Sequence, residues 1–250
     1  MENPVIFVGT YHKTGTVWIH RVMRDVAKGL GTGYFRNNLR DGKHEGHVYE
    51  PGIYFDDHTY FPAEITEVPP VGFRMIRDPR DVVISGAHYH TRSEENWLHM
   101  EREDLGGKTY QQAINAFEDV QDRYLFEMQR VGNHTINCMA QPNSFVEKMQ
   151  PVRYEDLMTD TDFSVFKALM QSLGLRRGEL KKAEKAFRKH SLVGDAKTTG
   201  KHGTSNGQLA RWKTAFSHET ARAFAERHGD ALIRLGYEED HSWVDACQGD

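Results

Sequence analysis

Residues 5–18, Val-Ile-Phe-Val-Gly-Thr-Tyr-His-Lys-Thr-Gly-Thr-Val-Trp, constrain the fold more than any other stretch of the chain. The first half is apolar and β-branched, bounded by Pro4 and Gly9, as expected of a strand buried on both faces of a parallel sheet. In the second half the period changes, and Val17, Ile19, Val22, Met23 and Val26 are expected on one face of a helix. Between strand and helix lies a tight turn holding one lysine, two threonines and a glycine. Such a strand–turn–helix junction makes an anion site. Backbone N–H groups converge at the helix start, the helix dipole favours negative charge, and glycine lets a phosphate approach the chain. A purely structural glycine turn would need no lysine inside it.

The turn departs from the nucleotide-binding pattern GxxxxGK[ST], in which the lysine follows the second glycine. Here Lys13 precedes Gly15 and Thr16 follows it. The order Lys-Thr-Gly-Thr, preceded by Tyr-His and followed by Val-Trp, resembles the phosphosulfate loop (TYPKSGTTW-like) of the sulfotransferases that use 3′-phosphoadenosine 5′-phosphosulfate (PAPS). On that resemblance Lys13, Thr14, Gly15, Thr16, Val17 and Trp18 bind the donor, Lys13 also serves catalysis, and Trp18 stacks on adenine. Core packing is the structural alternative for the indole.

A second motif spans residues 71–85. Phe73 to Ile76 is expected to be a strand, Asp78 an N-cap, and Pro79 a helix start. Arg77 then stands at the strand end, with Ser85 on the helix eight positions later. The run resembles the family's 3′-phosphate motif (RNPKDVAVS-like), which assigns that phosphate to Arg77 and Ser85. A planar fork of donors and a hydroxyl suit a phosphate dianion.

Two weaker matches follow. Tyr154, in Tyr-Glu-Asp-Leu, resembles the family's tyrosine near the adenine. Glu155 and Asp156 beside it read either as an acid pair or, more simply, as the acidic first turn of a helix. Lys201-His202-Gly203, followed by Arg211-Trp212-Lys213, resembles the RKGxxGDWKxxFT signature. That likeness gives Lys201, His202 and Gly203 to the phosphate, though lysine replaces arginine and the spacing to Trp212 is longer. A solvated basic loop is the structural alternative.

For a catalytic base, the residues Ile53-Tyr54-Phe55 are expected to form a strand ending at Asp56-Asp57-His58-Thr59. The family's strand ends in Lys-Thr-His, and the resemblance maps its histidine to His58, with Asp56 where a lysine usually stands. Among 14 histidines, His44 and His47 compete for the role.

The remaining chain is expected to contain an irregular surface region over 29–51, a loop over 91–108, and one helix over 108–130 with Ala113, Phe117, Val120, Tyr124 and Met128 inward. A strand over 146–153, helices over 163–173, 179–189 and 217–235, and a polar loop over 191–209 complete it. Length and the absence of linkers or repeats fit a single domain, 1–250, of α/β class. The resemblance implies one doubly wound parallel sheet flanked by helices, with a P-loop-like phosphosulfate loop. With 32 basic against 36 acidic residues, no nucleic-acid partner is implied. Two cysteines, Cys138 and Cys247, give neither a disulfide framework nor a metal pair. No signal-like start and no apolar run long enough for a bilayer point to a cytoplasmic protein without a membrane partner.

The implied activity is sulfuryl transfer from PAPS, leaving PAP, to a hydroxyl or amine of a small-molecule acceptor, with a histidine base and no metal. Loops 31–51 and 91–108 would shape the acceptor pocket. The alternatives are phosphoryl transfer by a P-loop kinase or NTPase, and a non-catalytic PAP-binding protein of the same fold. As to assembly, the family's KxxxTVxxxE dimer segment corresponds to Lys213–Arg222, where Ser217-His218 and Arg222 depart from it. A monomer, or a dimer by another route, is expected.

Overall fold

The computed structural model describes residues 4–39, 45–196 and 208–247. The chain folds into two compact units, each assembled from two stretches of sequence. The first takes residues 1–77 and 142–199, the second residues 78–141 and 200–250.

The first unit is built on a five-stranded parallel sheet. Strand β1 (Val5–Gly9) leads into helix α1 (Thr16–Leu30), and strands β2 (Gly33–Arg36), β3 (Gly52–Asp56) and β4 (Gly72–Ile76) follow. The order is β2-β3-β1-β4-β5, with β5 spanning Gln150–Arg153. From β1 the chain winds to one side through β2 and β3, and to the other through β4 and β5. That is the doubly wound arrangement the sequence motifs imply. Its carboxyl edge at β1 and β4, where the winding reverses, is the usual binding crevice of such sheets. Every residue of β3 and β4 is buried, which explains their apolar sequences.

The register sets Gly9 beside Asp56 on one side and beside Arg74 on the other. The segments that follow β1, β3 and β4 therefore leave the sheet together. Phe7, Tyr54, Phe61, Phe145 and Met149 pack into one core. Helix α1 buries Ile19, Val22, Met23 and Val26, each contributing about 1.5–3 kcal/mol.

Some expectations need correction. Val17 is 44% exposed. Residues two apart on a helix point about 200° apart, so it cannot share the face of Ile19. The 29–51 region contains β2, a short strand at the edge of the sheet, paired with β3. The strand expected over 146–153 shortens to β5, since residues 146–148 form a 3₁₀ turn.

The second unit is helical. Helices α2 (Pro79–His90), α3 (Tyr110–Asn115), α4 (Val120–Gln129) and α5 (Val131–Ala140) lie in its first stretch. The single helix expected over 108–130 is thus two. Arg123 donates twice to the Phe117 carbonyl, at 3.0 and 2.7 Å, fixing the break. Asp119 then caps the second helix through Gln121 N–H. Tyr124 and Met128 are buried as expected, whereas Ala113, Phe117 and Val120 are only partly covered. Helix α5 has no counterpart in the sequence reading.

Back in the first unit, α6 (Tyr154–Met158), α7 (Ser164–Ser172) and α8 (Arg177–His190) follow β5. The second unit closes with α9 (Trp212–Ala215) and α10 (His218–Arg234), the latter capped by Ser217 as expected. Among the described residues no helix is long and apolar enough to cross a membrane.

Candidate active site

The turn after β1 is shaped by its own side chains. Thr14 is buried, and its hydroxyl accepts from Tyr11 N–H at 2.8 Å and donates to Tyr11 C=O at 2.9 Å. Thr14 N–H also donates to that carbonyl, at 3.1 Å. Thr14 therefore forms the loop and presents no idle hydroxyl to a ligand. Thr16 Oγ1 reaches the same carbonyl at 3.1 Å and receives the Thr10 hydroxyl at 2.9 Å. Lys13 adopts a left-handed conformation, φ 64°, and Gly15 follows with φ 94°.

Helix α1 then opens with no side-chain cap and no acidic residue in its first turn. Its first intrahelical bond is Ile19 N–H to Gly15 C=O, at 3.0 Å. The N–H groups of Thr16, Val17 and Trp18 precede that bond, the arrangement that receives anions at helix starts.

Tyr154, which opens α6 directly after β5, packs on this turn. A β-carbon on Gly15 would stand 3.0 and 3.1 Å from two Tyr154 ring carbons. The Arg77 guanidinium lies 4.5 Å above the same ring, and its Nη1 donates to Lys13 C=O at 2.9 Å. Arg77 is almost fully buried, so a permanently charged fork is fixed against the loop. Trp18 meets Tyr154 edge to face at 5.9 Å and lies against Phe187 at 5.7 Å. Its indole N–H is buried without a hydrogen-bond partner. Trp18 is thus packed on one side and only partly covered overall.

The turn after β3 brings His58 beside the loop. The imidazoles of His58 and His12 lie 6.4 Å apart, inclined by 30°. Asp56, buried at the end of β3, accepts from both His58 N–H and Tyr60 N–H at 2.9 Å. The aspartate that stands in place of the family's lysine is therefore the builder of the histidine's turn. Asp57 accepts a bidentate pair from Arg36, at 3.0 and 2.9 Å, and a third bond from Asn37 at 2.9 Å. His47 instead packs edge to face on Tyr49 and Tyr54, at 4.9 and 5.8 Å. Lys201, His202, Gly203 and His44 lie outside the described residues.

In the second unit, Ser85 is buried in the second turn of α2. Asp78 caps that helix through Arg80 N–H at 2.9 Å and pairs twice with the Arg80 guanidinium. Arg80 lies against Trp212 and Trp243, at 3.6 and 4.6 Å, and forms an ion pair with Glu238 at 2.6 Å. Trp212, a signature residue in sequence, here packs on an arginine.

Sequence reasoning did not single out Thr10, His12, Arg36, Asn37 or Asp57. An Asx-turn signal is present in Asp56-Asp57-His58-Thr59. The partners of Asp57 lie 20 and 21 residues away and leave no local trace.

The chain was compared with known proteins. No protein-family model matches it, and no curated protein matches it by sequence. Among solved structures it is similar to mouse sulfotransferase SULT7A1 complexed with PAP, at 15% identity and TM-score 0.50, over 91% of this chain and 83% of that one. It is also similar to retinol dehydratase in a complex with retinol and PAP, at 14% identity and TM-score 0.53, over 93% and 82%. At these identities the likeness is one of fold, and the chain shares the sulfotransferase fold. The α/β class that the motifs imply is the one observed, a five-stranded parallel sheet flanked by helices.

Proposed function

We propose that this protein is a PAPS-dependent sulfotransferase acting on a hydroxyl or amine of a small molecule. One observation carries the reading. At the carboxyl edge of β1, β3 and β4, an uncapped helix start lies among the segments that bear Lys13, Arg77 and His58. The fold likeness agrees with it.

The residues fit a phosphosulfate. The N–H groups of Gly15, Thr16, Val17 and Trp18 suit the 5′ phosphate, with helix α1 adding its dipole. Arg77 offers a guanidinium for the 3′ phosphate, and the sequence resemblance adds Ser85, Lys201, His202 and Gly203. Trp18 and Tyr154 offer aromatic surface for the adenine. When bound, PAPS supplies a sulfuryl group on a phosphate leaving group. Lys13 brings an ammonium to the loop for the charge that develops on the leaving oxygen. A neutral imidazole nitrogen of His58 takes the acceptor's proton as the acceptor bonds to sulfur. Bound PAPS would supply the leaving group, the electrons of its S–O bond passing to the phosphate oxygen that Lys13 faces.

Calorimetry with PAP, and with adenosine 5′-phosphosulfate, which lacks the 3′ phosphate, tests the donor site. One charge-assisted contact is worth about 1.5–3 kcal/mol, so the second ligand should bind roughly 10- to 150-fold more weakly. Arg77→Ala should reproduce that loss for PAP. Equal affinity for the two ligands would remove the basis for this donor.

A further inference from the structure

The reaction proposed above needs the base held at the anion loop, yet His58 sits on a four-residue turn rather than on a strand or helix. What fixes that turn is unusual in its density. From below, Asp56 accepts the N–H groups of His58 and Tyr60. From the side, Arg36 grips Asp57 with both arms of its guanidinium, and Asn37 pairs with Asp57 reciprocally. The Asn37 amide donates to the carboxylate at 2.9 Å, and Asp57 N–H returns a bond to Asn37 Oδ1 at 3.0 Å. Asn37 N–H also donates to Phe55 C=O at 2.8 Å, extending the β2–β3 ladder up to the turn. From the loop side, the Thr10 hydroxyl lies 3.1 Å from Asp57 C=O and 2.9 Å from Thr16 Oγ1. Thr59 Oγ1 donates to Thr10 C=O at 2.7 Å.

We propose that Arg36, Asn37 and Asp57 form a positioning clamp, locked to the phosphosulfate loop through Thr10, that sets His58 against the reacting acceptor. The inference rests on His58 being the base. The edge strand β2 has a role in this clamp that its short, half-exposed sequence does not announce. Arg36 and Asn37 are its last residue and the one that follows it. They reach the turn because β2 and β3 run parallel and end level, Arg36 standing opposite Phe55. A bidentate guanidinium–carboxylate pair fixes orientation as well as distance, which a single hydrogen bond does not. The clamp meets the donor loop through Thr10, whose hydroxyl faces the Asp57 carbonyl, so its effect is expected on the rate more than on donor affinity. An error of about 1 Å in a reacting group can cost on the order of 100-fold in rate.

The test uses the full chain, with PAPS as donor and phenol or water as acceptor, following PAP release. Arg36→Met should lower kcat about 10- to 100-fold, with PAP affinity within about twofold of wild type by calorimetry. Arg36→Lys, which keeps one charged contact, should recover part of the rate. In a His58→Ala background, Arg36→Met should have no further effect, because the residue through which it acts is gone. Hydrogen exchange supplies a readout independent of turnover: Arg36→Met should speed exchange of the His58 amide and leave that of Ile19 unchanged. Equal loss of rate in both backgrounds, a parallel fall in PAP affinity, or an unchanged His58 amide would overturn the clamp. Turnover near wild type in His58→Ala alone would instead overturn the base assignment, whatever the amide shows.

Discussion

Helix α1 has a left-handed glycine at each end, and the two ends allow a controlled comparison. Gly31, φ 70°, closes the helix by donating to Lys28 C=O at 3.3 Å, and a β-carbon there would meet nothing within 4 Å. Gly31→Ala should therefore cost only the left-handed strain of an L residue, about 1–2 kcal/mol. Gly15, φ 94°, bears the same strain or more, and its β-carbon would stand 3.0 and 3.1 Å from the Tyr154 ring and 3.2 Å from Met75 Cε. The methionine end can bend away. The Tyr154 ring cannot do so freely, being held by Trp18 at its edge and Arg77 over its face. Forcing such a contact typically costs about 1–3 kcal/mol. Gly15→Ala should thus lose roughly 2–5 kcal/mol, against about 1–2 for Gly31→Ala. Urea unfolding followed by circular dichroism measures both, compared at unchanged m. Displacing Tyr154 also moves the ring under Arg77, so PAP affinity should fall in Gly15→Ala and stay near wild type in Gly31→Ala. Equal stability losses at the two ends, or wild-type PAP binding by Gly15→Ala, would refute the reasoning.

Further outcomes follow from the same geometry. His58→Ala should lower turnover about 10²–10⁴-fold while PAP affinity changes little, whereas Lys13→Ala should weaken both; kinetics and calorimetry on the pair separate the two roles. Turnover is expected to persist in EDTA, since Lys13 supplies the positive charge, and loss restored by Mg²⁺ would favour phosphoryl transfer. In the second unit, buried Glu127 accepts from Tyr110 at 2.9 Å and pairs with His90 at 2.8 Å. Glu127→Ala should cost about 3–5 kcal/mol in urea unfolding, and Glu127→Gln less. On α1, the hydrogen bond from Lys189, reinforced by His190, lowers the Asp25 carboxyl from 3.8 to about 2. A carboxyl depressed on folding stabilises above its unfolded value and loses that contribution as pH falls through the folded one. Asp25→Asn should therefore lower Tm at pH 7, and the difference from wild type should close as pH drops from about 4 toward about 2.

What the sequence determined by itself is local. β1, the anion turn and the start of α1 are legible because a buried apolar run, a left-handed glycine and an uncapped helix start lie within 14 consecutive residues. The β4–α2 junction is legible for the same reason, since Asp78 and Pro79 act on a backbone one or two positions away. The order of these motifs also carried the doubly wound sheet. Tertiary structure decided what depends on distant partners. β2 exists because β3 offers it a ladder, and its four residues have too little pattern to reveal it. The break between α3 and α4 is set by Arg123 reaching back to Phe117. Thr14, read as a phosphate ligand, turns its hydroxyl into the loop, a choice between solvent and Tyr11 that its neighbours in sequence do not reveal. Asp56 and Asp57 look in sequence like a departure from a lysine-bearing motif. Only the fold brings Arg36 and Asn37 across from β2 and makes the two carboxylates the frame of His58. Backbone conformation responds to neighbours along the chain, whereas a side chain's partner depends on which segments the sheet brings level.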